Sequence, residues 1–337
     1  MKRHYMDSLD KKILTAIQSG LPAEERPFDA LAARLRMDAD ELLGRLRLLT
    51  QAGVIRRIGP VFDSRRLGYV STLVAARIPP ERLVEVAQEV SRLPGVTHNY
   101  ERRHARNLWF TIAAPSAEAI EAALARLRRE TGTKEFHSLP AEAVYKIRVQ
   151  FDLANDSVEA DVPDSPRQCL GPDQRPAEPL SEEQKELVRL IQGGLALERE
   201  PLIGAAARLG WTPAHVAEQI RQWLATGVIR RFGAVLGHRE AGYAANGMAV
   251  FRFAPDCVDA AGQRAAECAE VSHCYRRPAM PNFPYNLYAM IHGRSEAEVL
   301  AAAARMAAET GAEAHEVLFS VRKFKKAAMR YFVEGAG

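Results

Sequence analysis

The sequence predicts an α+β protein built by tandem duplication, each copy a winged helix-turn-helix followed by a ferredoxin-like βαββαβ domain. The first observation behind this is a repeat. Gly53-Val-Ile-Arg-Arg-Ile-Gly59 recurs 174 residues later as Gly227-Val-Ile-Arg-Arg-Phe-Gly233, with only Ile58 exchanged for Phe232. The same offset of 174 matches Gly20-Leu21 with Gly194-Leu195, and Gly68-Tyr69 with Gly242-Tyr243. Further on it drifts: His98-Asn-Tyr100 meets His273-Cys-Tyr275 at 175, and Asn107-Leu108 meets Asn286-Leu287 at 179. Thr131-Gly132 and Thr310-Gly311 keep that offset of 179. An ordered series of this kind is a duplication, with a short insertion around Pro278 to Pro284 of the second copy.

The second observation is the change of hydrophobic period within each copy. Leu9, Ile13, Leu14 and Ile17 recur at helical spacing behind a cap at Asp7 or Ser8. Phe28, Leu31 and Leu35 mark a second short helix. Asp38 and Glu41 resemble a capping box that opens a third, Asp40 to Gln51, through Leu42, Leu43, Leu46 and Leu49. Gly53 follows where a helix C-cap favours glycine. Val54 to Ile58 reads as a short strand, and Gly59-Pro60 as the start of a hairpin wing. In the second copy Ser181 with Gln184 caps the first helix, and Val216, Ile220 and Leu224 carry the third.

The rest of the first copy alternates strand (Tyr69 to Ile78), helix (Glu81 to Leu93) and strand (Val96 to Arg102). It continues with strand (Leu108 to Ala113), helix (Ala117 to Glu130) and a last strand near Val144 to Phe151. Val84, Ala87 and Val90 form one apolar stripe and Ile120, Leu124 and Leu127 another, both read as core. The expected divisions are helix-turn-helix 1 over 1–67, ligand domain 1 over 68–153, a linker over 154–179, helix-turn-helix 2 over 180–241 and ligand domain 2 over 242–337. The linker, rich in Pro, Asp, Ser and Gly, reads as a plain tether.

Bulk composition narrows the function classes. Over 337 residues, 47% hydrophobic and 26% charged residues are ordinary for globular domains, and a net charge of +4 suits an anionic ligand or a nucleic acid without choosing between them. Cys169, Cys257, Cys268 and Cys274 form no CxxC pair, which argues against a disulfide framework. The N-terminus lacks a signal-peptide pattern, and no run of about 18 apolar residues occurs. A soluble, cytoplasmic protein with no membrane contact is expected.

A winged helix-turn-helix joined to a ferredoxin-like domain resembles the Lrp/AsnC regulators in fold. Two stretches are more telling. Val96-Thr-His-Asn-Tyr-Glu-Arg-Arg-His104 with Asn107-Leu-Trp-Phe-Thr-Ile112 resembles the signature of siroheme decarboxylases. Val271-Ser-His-Cys-Tyr-Arg-Arg-Pro278, with Pro284-Tyr-Asn-Leu-Tyr288 and Met290-Ile-His-Gly293, resembles their partner subunit. The chain therefore looks like the fused form of that family, with the resemblance covering nearly everything outside the linker. One departure is Ala105-Arg106 ahead of Asn107, where the second copy has the aromatic Tyr285.

The resemblance implies removal of two acetate carboxyls from siroheme, giving 12,18-didecarboxysiroheme on a route to d-type haem or to haem. It implies no cofactor and no metal of the protein's own, since the iron belongs to the substrate, where a histidine is a candidate ligand. A homodimer is expected.

That chemistry asks for a proton donor near neutral pH, which histidine supplies, and for arginines to hold carboxylates. His98 and His104 are the candidate catalytic residues. Tyr100 and Arg102 share a strand face with His98 and are candidate substrate contacts, as are His273, Tyr275 and Arg277 in the second copy. The pairs Arg56-Arg57 and Arg230-Arg231 are weighed as carboxylate contacts against phosphate contacts or a solvated face. His292 and His315 are weaker candidates, Trp109 and Phe110 are core or pocket wall, and Lys323, Lys325, Lys326 and Arg330 read as a solvated basic cluster.

The alternative is a DNA-binding regulator. Its third helix would need a strong basic surplus, yet Arg45 and Arg47 stand against Asp40 and Glu41, and Arg221 against Glu218, so DNA is a disfavoured partner. A haem-binding chaperone without chemistry would use the same residues as the enzyme.

Overall fold

The computed structural model describes residues 6–147, 179–236 and 245–333. The expected linker up to residue 178, Gly242-Tyr243 and the end of the expected strand to Phe151 lie outside these residues.

The first helix-turn-helix comprises α1 (Ser8–Ser19), α2 (Pro27–Leu35) and α3 (Ala39–Gln51). Asp7 caps α1 in a capping box with Asp10. Asp38 caps α3 by accepting from the Asp40 and Glu41 amides, but Glu41 turns to Arg45 instead of reaching back, so this box stays half-made. Gly53 follows α3 at φ +76°, a left-handed conformation that glycine adopts without strain.

The hairpin wing expected at Gly59-Pro60 does not form. Strand β1 (Ile55–Phe62) runs straight through both residues, because its partner is its own duplicate, β7 (Ile229–Leu236). The two strands pair antiparallel with Gly59 opposite Gly233. Here the repeated glycines have a physical cause. The Leu21 amide donates to Phe232 O at 2.7 Å, and its counterpart Leu195 donates to Ile58 O at 2.7 Å. A Cβ on Gly233 would lie 2.4 Å from Ile17 O, and one on Gly194 would lie 3.0 Å from Ile58 O. The second unit, α6 (Glu182–Ile191), α7 (Ile203–Leu209) and α8 (Pro213–Ala225), thus shares one hydrophobic core with the first. Ser181 and Gln184 form the expected capping box on α6.

Each ligand domain is the expected βαββαβ unit. In the first copy these are β2 (Val70–Ala76), α4 (Leu83–Arg92), β3 (Val96–Arg102), β4 (Leu108–Ala114) and α5 (Ala117–Thr131). The last strand starts earlier than expected and is broken in two, β5 (Phe136–Pro140) and β6 (Ala143–Ile147). The second copy has β8 (Ala245–Arg252), α9 (Val258–Glu267), β9 (Val271–Arg276), β10 (Leu287–Gly293), α10 (Glu296–Thr310) and the long β11 (Ala314–Lys326).

Among the described residues these strands form one antiparallel sheet in the order β5-β2-β4-β3-β11-β8-β10-β9-β6. Each copy's last strand pairs first with its own copy and then crosses to the other. Ala314 to Phe319 lie on β8 while Ser320 to Lys326 lie on β3; β5 lies on β2 while β6 lies on β9. Since only residues 141 and 142 separate β5 from β6, the chain itself joins the two ends and the sheet curls round on itself.

The helices cover its outside, with Leu124 and Val90 buried in the first copy and Val299 and Ala265 in the second. The inside holds a mixed layer from both copies, including Trp109, Leu139, Met248, Phe283, Tyr288 and Leu318. The matched asparagines also serve the fold. Asn107 bonds both backbone groups of Ile78, at 3.0 and 2.8 Å, and Asn286 does the same for Phe253.

The C-terminal segment straps the helix-turn-helix pair down. Tyr331 Oη lies 2.7 Å from Ser64 Oγ, the Phe332 amide donates to Tyr69 Oη at 2.8 Å, and Arg189 Nε donates to Phe332 O at 2.6 Å.

Candidate active site

A cavity of about 1940 Å³ lies between the curled sheet and the β1–β7 pair, lined by both copies. Its walls are strongly cationic. Arg65, Arg66, Arg102, Lys185, Arg230, Arg231, Arg277, Arg322, Lys323 and Lys326 face it, against Asp63, Glu118 and Glu270. Of those carboxylates Asp63 is paired with Arg65 at 2.9 Å and Glu270 with Arg305 at 2.6 Å.

Two related constellations face each other. On β3, His98, Tyr100 and Arg102 share the inner face, as alternation predicts. On β9 and just after it, His273, Tyr275 and Arg277 do the same. The rings of His98 and Tyr100 stack at 6.3 Å, those of His273 and Tyr275 at 6.2 Å. Arg102 lies 5.9 Å from the Tyr100 ring and Arg277 4.9 Å from that of Tyr275. Both copies carry a bulge at the residue before the histidine: the ladder steps from Val96 to His98 and from Val271 to His273. A bulge re-aims side chains, and here it lets Thr97 and Ser272 line the cavity beside the histidines. Thr97 Oγ1 lies 3.0 Å from His98 Nδ1, and Ser272 Oγ lies 2.9 Å from His273 Nδ1.

The arginines are held without anions. Arg102 is only 7% exposed and donates from Nη1 to Leu318 O at 2.8 Å, while Arg277 donates to the related carbonyl, Leu139 O. The Nε atoms of both are out of reach of solvent and have no partner. Burial pulls the Arg102 guanidinium down to about 10, and pulls Arg277 down as well. A buried cation without a counter-charge is costly, so the site favours a ligand that brings negative charge.

The other expected residues divide. Arg230 and Arg231 reach the cavity wall, Arg231 donating to Gln18 O at 2.7 Å. Arg56 and Arg57 do not line it: Arg57 is turned back to Pro60 O at 2.7 Å, and Arg56 acts on Tyr100 and Lys326 only through its charge.

His104 is not brought to His98. The strand ends at Arg102, whose amide donates to Asn107 O, so strand alternation does not carry on to His104. His104 Nδ1 accepts from the Arg106 amide at 2.9 Å, and its ring packs on Phe283 at 5.3 Å, outside the cavity wall.

The structure adds three features to the sequence reading. Lys323 and Lys326 are exposed, as a solvated cluster would be, but they also lie opposite Tyr100 and His98 on β11 and line the cavity. The related positions Val144 and Ile147 lie opposite Tyr275 and His273, so the second-copy end has an apolar rim where the first has lysines. Only the crossing of the last strands reveals this. His292 also lines the cavity, its Nε2 2.7 Å from Ser272 Oγ. Lastly, the insertion at Pro278 to Pro284 drives Phe283, 1% exposed, between Trp109 and Tyr288, where Arg106 lies 5.7 Å from its ring. Arg106, standing where an aromatic was expected, donates to Pro281 O and so clamps this insertion.

The helix-turn-helix faces are spent within the chain. Arg45 is shared by Asp7, Asp10 and Glu41, Arg47 donates to Leu197 O, Arg199 pairs with Asp29 and Asp40, and Arg221 with Glu218. Among the described residues no helix is long and apolar enough to cross a membrane, and no three His, Cys, Asp or Glu side chains converge to hold a metal ion.

Comparison with known proteins agrees with this architecture. Residues 66–146 and 240–325 match an AsnC-like ligand binding domain, and residues 10–56 match a siroheme decarboxylase NirDL-like HTH domain. The chain is 36% identical over 96% of its length to the siroheme decarboxylase of Hydrogenobacter thermophilus, covering 95% of that protein. The crystal structure of the siroheme decarboxylase NirDL superposes with a TM-score of 0.78 at 32% identity, covering 98% of this chain and 96% of that one. A co-complex of NirDL with an iron-uroporphyrin III analogue gives 0.77 at the same identity and coverage. With its paired ligand domains, its shared helix-turn-helix core and this likeness over nearly its whole length, the chain belongs to the siroheme decarboxylase family.

Proposed function

We propose that this protein removes two acetate carboxyls from siroheme without oxidation, giving 12,18-didecarboxysiroheme for d-type haem or haem synthesis. The observation that carries this reading is the facing pair Arg102 and Arg277, buried guanidiniums without anionic partners on opposite walls of a cavity of about 1940 Å³. Pockets for drug-sized ligands are about 300–1,000 Å³, so the larger space suits a macrocycle, and a relative of this chain was crystallised with an iron-uroporphyrin III analogue.

The chemistry follows from the walls. At each reacting acetate the bond between methylene and carboxylate carbon breaks, carbon dioxide leaves, and the electron pair stays with the methylene through the pyrrole. That carbon then takes one proton and becomes a methyl group. His98 and His273 are the imidazoles at hand, one at each end, and general acids of this kind contribute about 10²–10⁴-fold. Arg102, Arg277, Arg230 and Arg231 hold the carboxylates that stay; Tyr100 and Tyr275 line the macrocycle. Burial raises both phenols above their ordinary value, so they act as neutral donors or walls.

In this reading the protein uses no cofactor or metal of its own; the iron arrives with the substrate, where His98 or His273 can offer it a ring nitrogen. His104 takes no part. The enzyme works in the cytoplasm, where Cys257, Cys268 and Cys274 stay as free thiols, and as a homodimer of fused chains.

Incubating the purified protein anaerobically with siroheme and following mass tests the reading. Loss of two carbon dioxide units is expected; bound but unchanged siroheme overturns it and leaves a carrier. The regulator alternative predicts a gel shift on the protein's own promoter DNA. The consumed arginines of α3 and α8 argue for none.

A further inference from the structure

We propose that His292 is a positioning residue that relays a proton through Ser272 to His273, so that the two ends of the cavity are unequal proton donors. The inference rests on the decarboxylase reading above and names a residue that reading does not use.

Ser272 Oγ stands between two imidazoles, 2.9 Å from His273 Nδ1 and 2.7 Å from His292 Nε2. A third acceptor, Met290 O, lies at 3.5 Å and competes poorly. A hydroxyl has one proton to donate. Ser272 therefore donates to one ring and accepts from the other, and the two tautomers are locked together. When His292 carries the proton on Nε2, Ser272 donates to His273 Nδ1, which puts the His273 proton on Nε2, the ring's other nitrogen. Moving the chain by one step reverses both.

This gives a balanced transfer. His273 gives its Nε2 proton to the methylene carbon as carbon dioxide departs. Its Nδ1 takes the Ser272 proton, Ser272 takes the Nε2 proton of a protonated His292, and His292 is left neutral. The charge that appears to vanish at the reacting carbon is supplied from a ring that touches no reacting atom.

The backbone holds the chain in place. The bulge at Ser272 turns it to the cavity beside His273. The His292 amide donates to Glu270 O at 3.0 Å, and Asn246 lies opposite His292 on β8. Glu270's carboxylate is occupied by Arg305 at 2.6 Å.

The first copy lacks the imidazole related to His292. Thr97 reaches His98 in the same way, but the position related to His292 is Ala113. The rims differ in the matching sense: Lys326 lies opposite His98, whereas Ile147 lies opposite His273. A carboxylate beside Ile147 lacks the lysine that would stabilise it, and losing carbon dioxide is easier for a carboxylate left unpaired.

The test uses full-length wild type, His292→Ala, His292→Asn and Ser272→Ala under single turnover with siroheme. Binding is read by absorbance titration, folding by thermal melt and rate by mass spectrometry. Both His292→Ala and Ser272→Ala are expected to keep affinity within about threefold and to slow one of the two decarboxylations by about 10- to 100-fold. Added imidazole is expected to restore part of the rate in His292→Ala. Asn at 292 can donate a hydrogen bond to Ser272 but cannot carry an extra proton, so it is expected to stay slow. Wild-type rates in folded His292→Ala, or full recovery in His292→Asn, overturn the relay and leave a purely structural contact. Unchanged siroheme in the wild type overturns the parent reading instead.

Discussion

Lys326 lies directly opposite His98 in the β3–β11 ladder, on the wall of the shared cavity. Burial lowers its ammonium below the ordinary lysine range, with the charges of Arg56 and Lys323 adding to the effect. The charged form is the one that attracts a carboxylate, so affinity is full while Lys326 is protonated and falls as pH rises through its lowered value. We expect Lys326→Ile, which copies Ile147 of the other copy, to weaken siroheme binding by about tenfold, a loss typical of one charge-assisted contact. It should also remove the Lys326 part of the alkaline fall in affinity expected of the wild type, leaving the fall that follows Arg102 near 10. Absorbance titrations from neutral to alkaline pH check both.

Arg102 offers the reverse trade between stability and function. Its buried guanidinium lacks a counter-charge, so an apolar side chain of similar volume removes a desolvation cost that nothing in the free protein offsets. Arg102→Met is expected to melt at or above the wild-type temperature while losing at least about tenfold in siroheme affinity. The wild type should gain far more in melting temperature from added siroheme than the variant does.

Phe283 tests the insertion. It is packed against His104, Trp109, Tyr285 and Tyr288. Truncating a buried aromatic costs about 3–5 kcal/mol. Phe283→Ala is expected to lower stability by that order in denaturant titration. An unchanged midpoint would show that the insertion is not part of the inner core.

Gly233→Ala tests the pairing of the helix-turn-helix units. The added Cβ would stand 2.4 Å from Ile17 O, a backbone atom that cannot step aside cheaply. Overpacking of this kind costs about 1–3 kcal/mol. The melting temperature should fall, whereas Gly53→Asn, at a left-handed φ with open space around it, should be nearly neutral.

Much of this molecule was legible in its sequence, for identifiable reasons. Val96 to Arg102 was readable as a strand with one basic, aromatic face because alternation is a local property, and that face does line the cavity. The helices followed from apolar spacing and caps such as Asp7 and Ser181. What escaped was what depends on partners distant in the chain. Gly59-Pro60 looked like a hairpin because nothing local says that the strand's partner lies 174 residues on. That Lys323 and Lys326 also line the cavity was hidden because their neighbours on β3 belong to the other copy. His104 lies past the end of that strand, where alternation says nothing of a side chain's direction. The Ser272–His292 bridge needs the bulge, which a sequence pattern of period two cannot show.

The crossing of the last strands also bears on how such a protein is made. Each copy completes the other's sheet, through β6 on β9 and β11 on β3. Two similar halves synthesised apart would have to choose between their own kind and the other. One covalent chain removes that choice, because a tethered partner is present at an effective concentration of the order of millimolar. Every molecule then carries one lysine-rimmed end and one apolar-rimmed end, in fixed one-to-one proportion and whatever the level of expression.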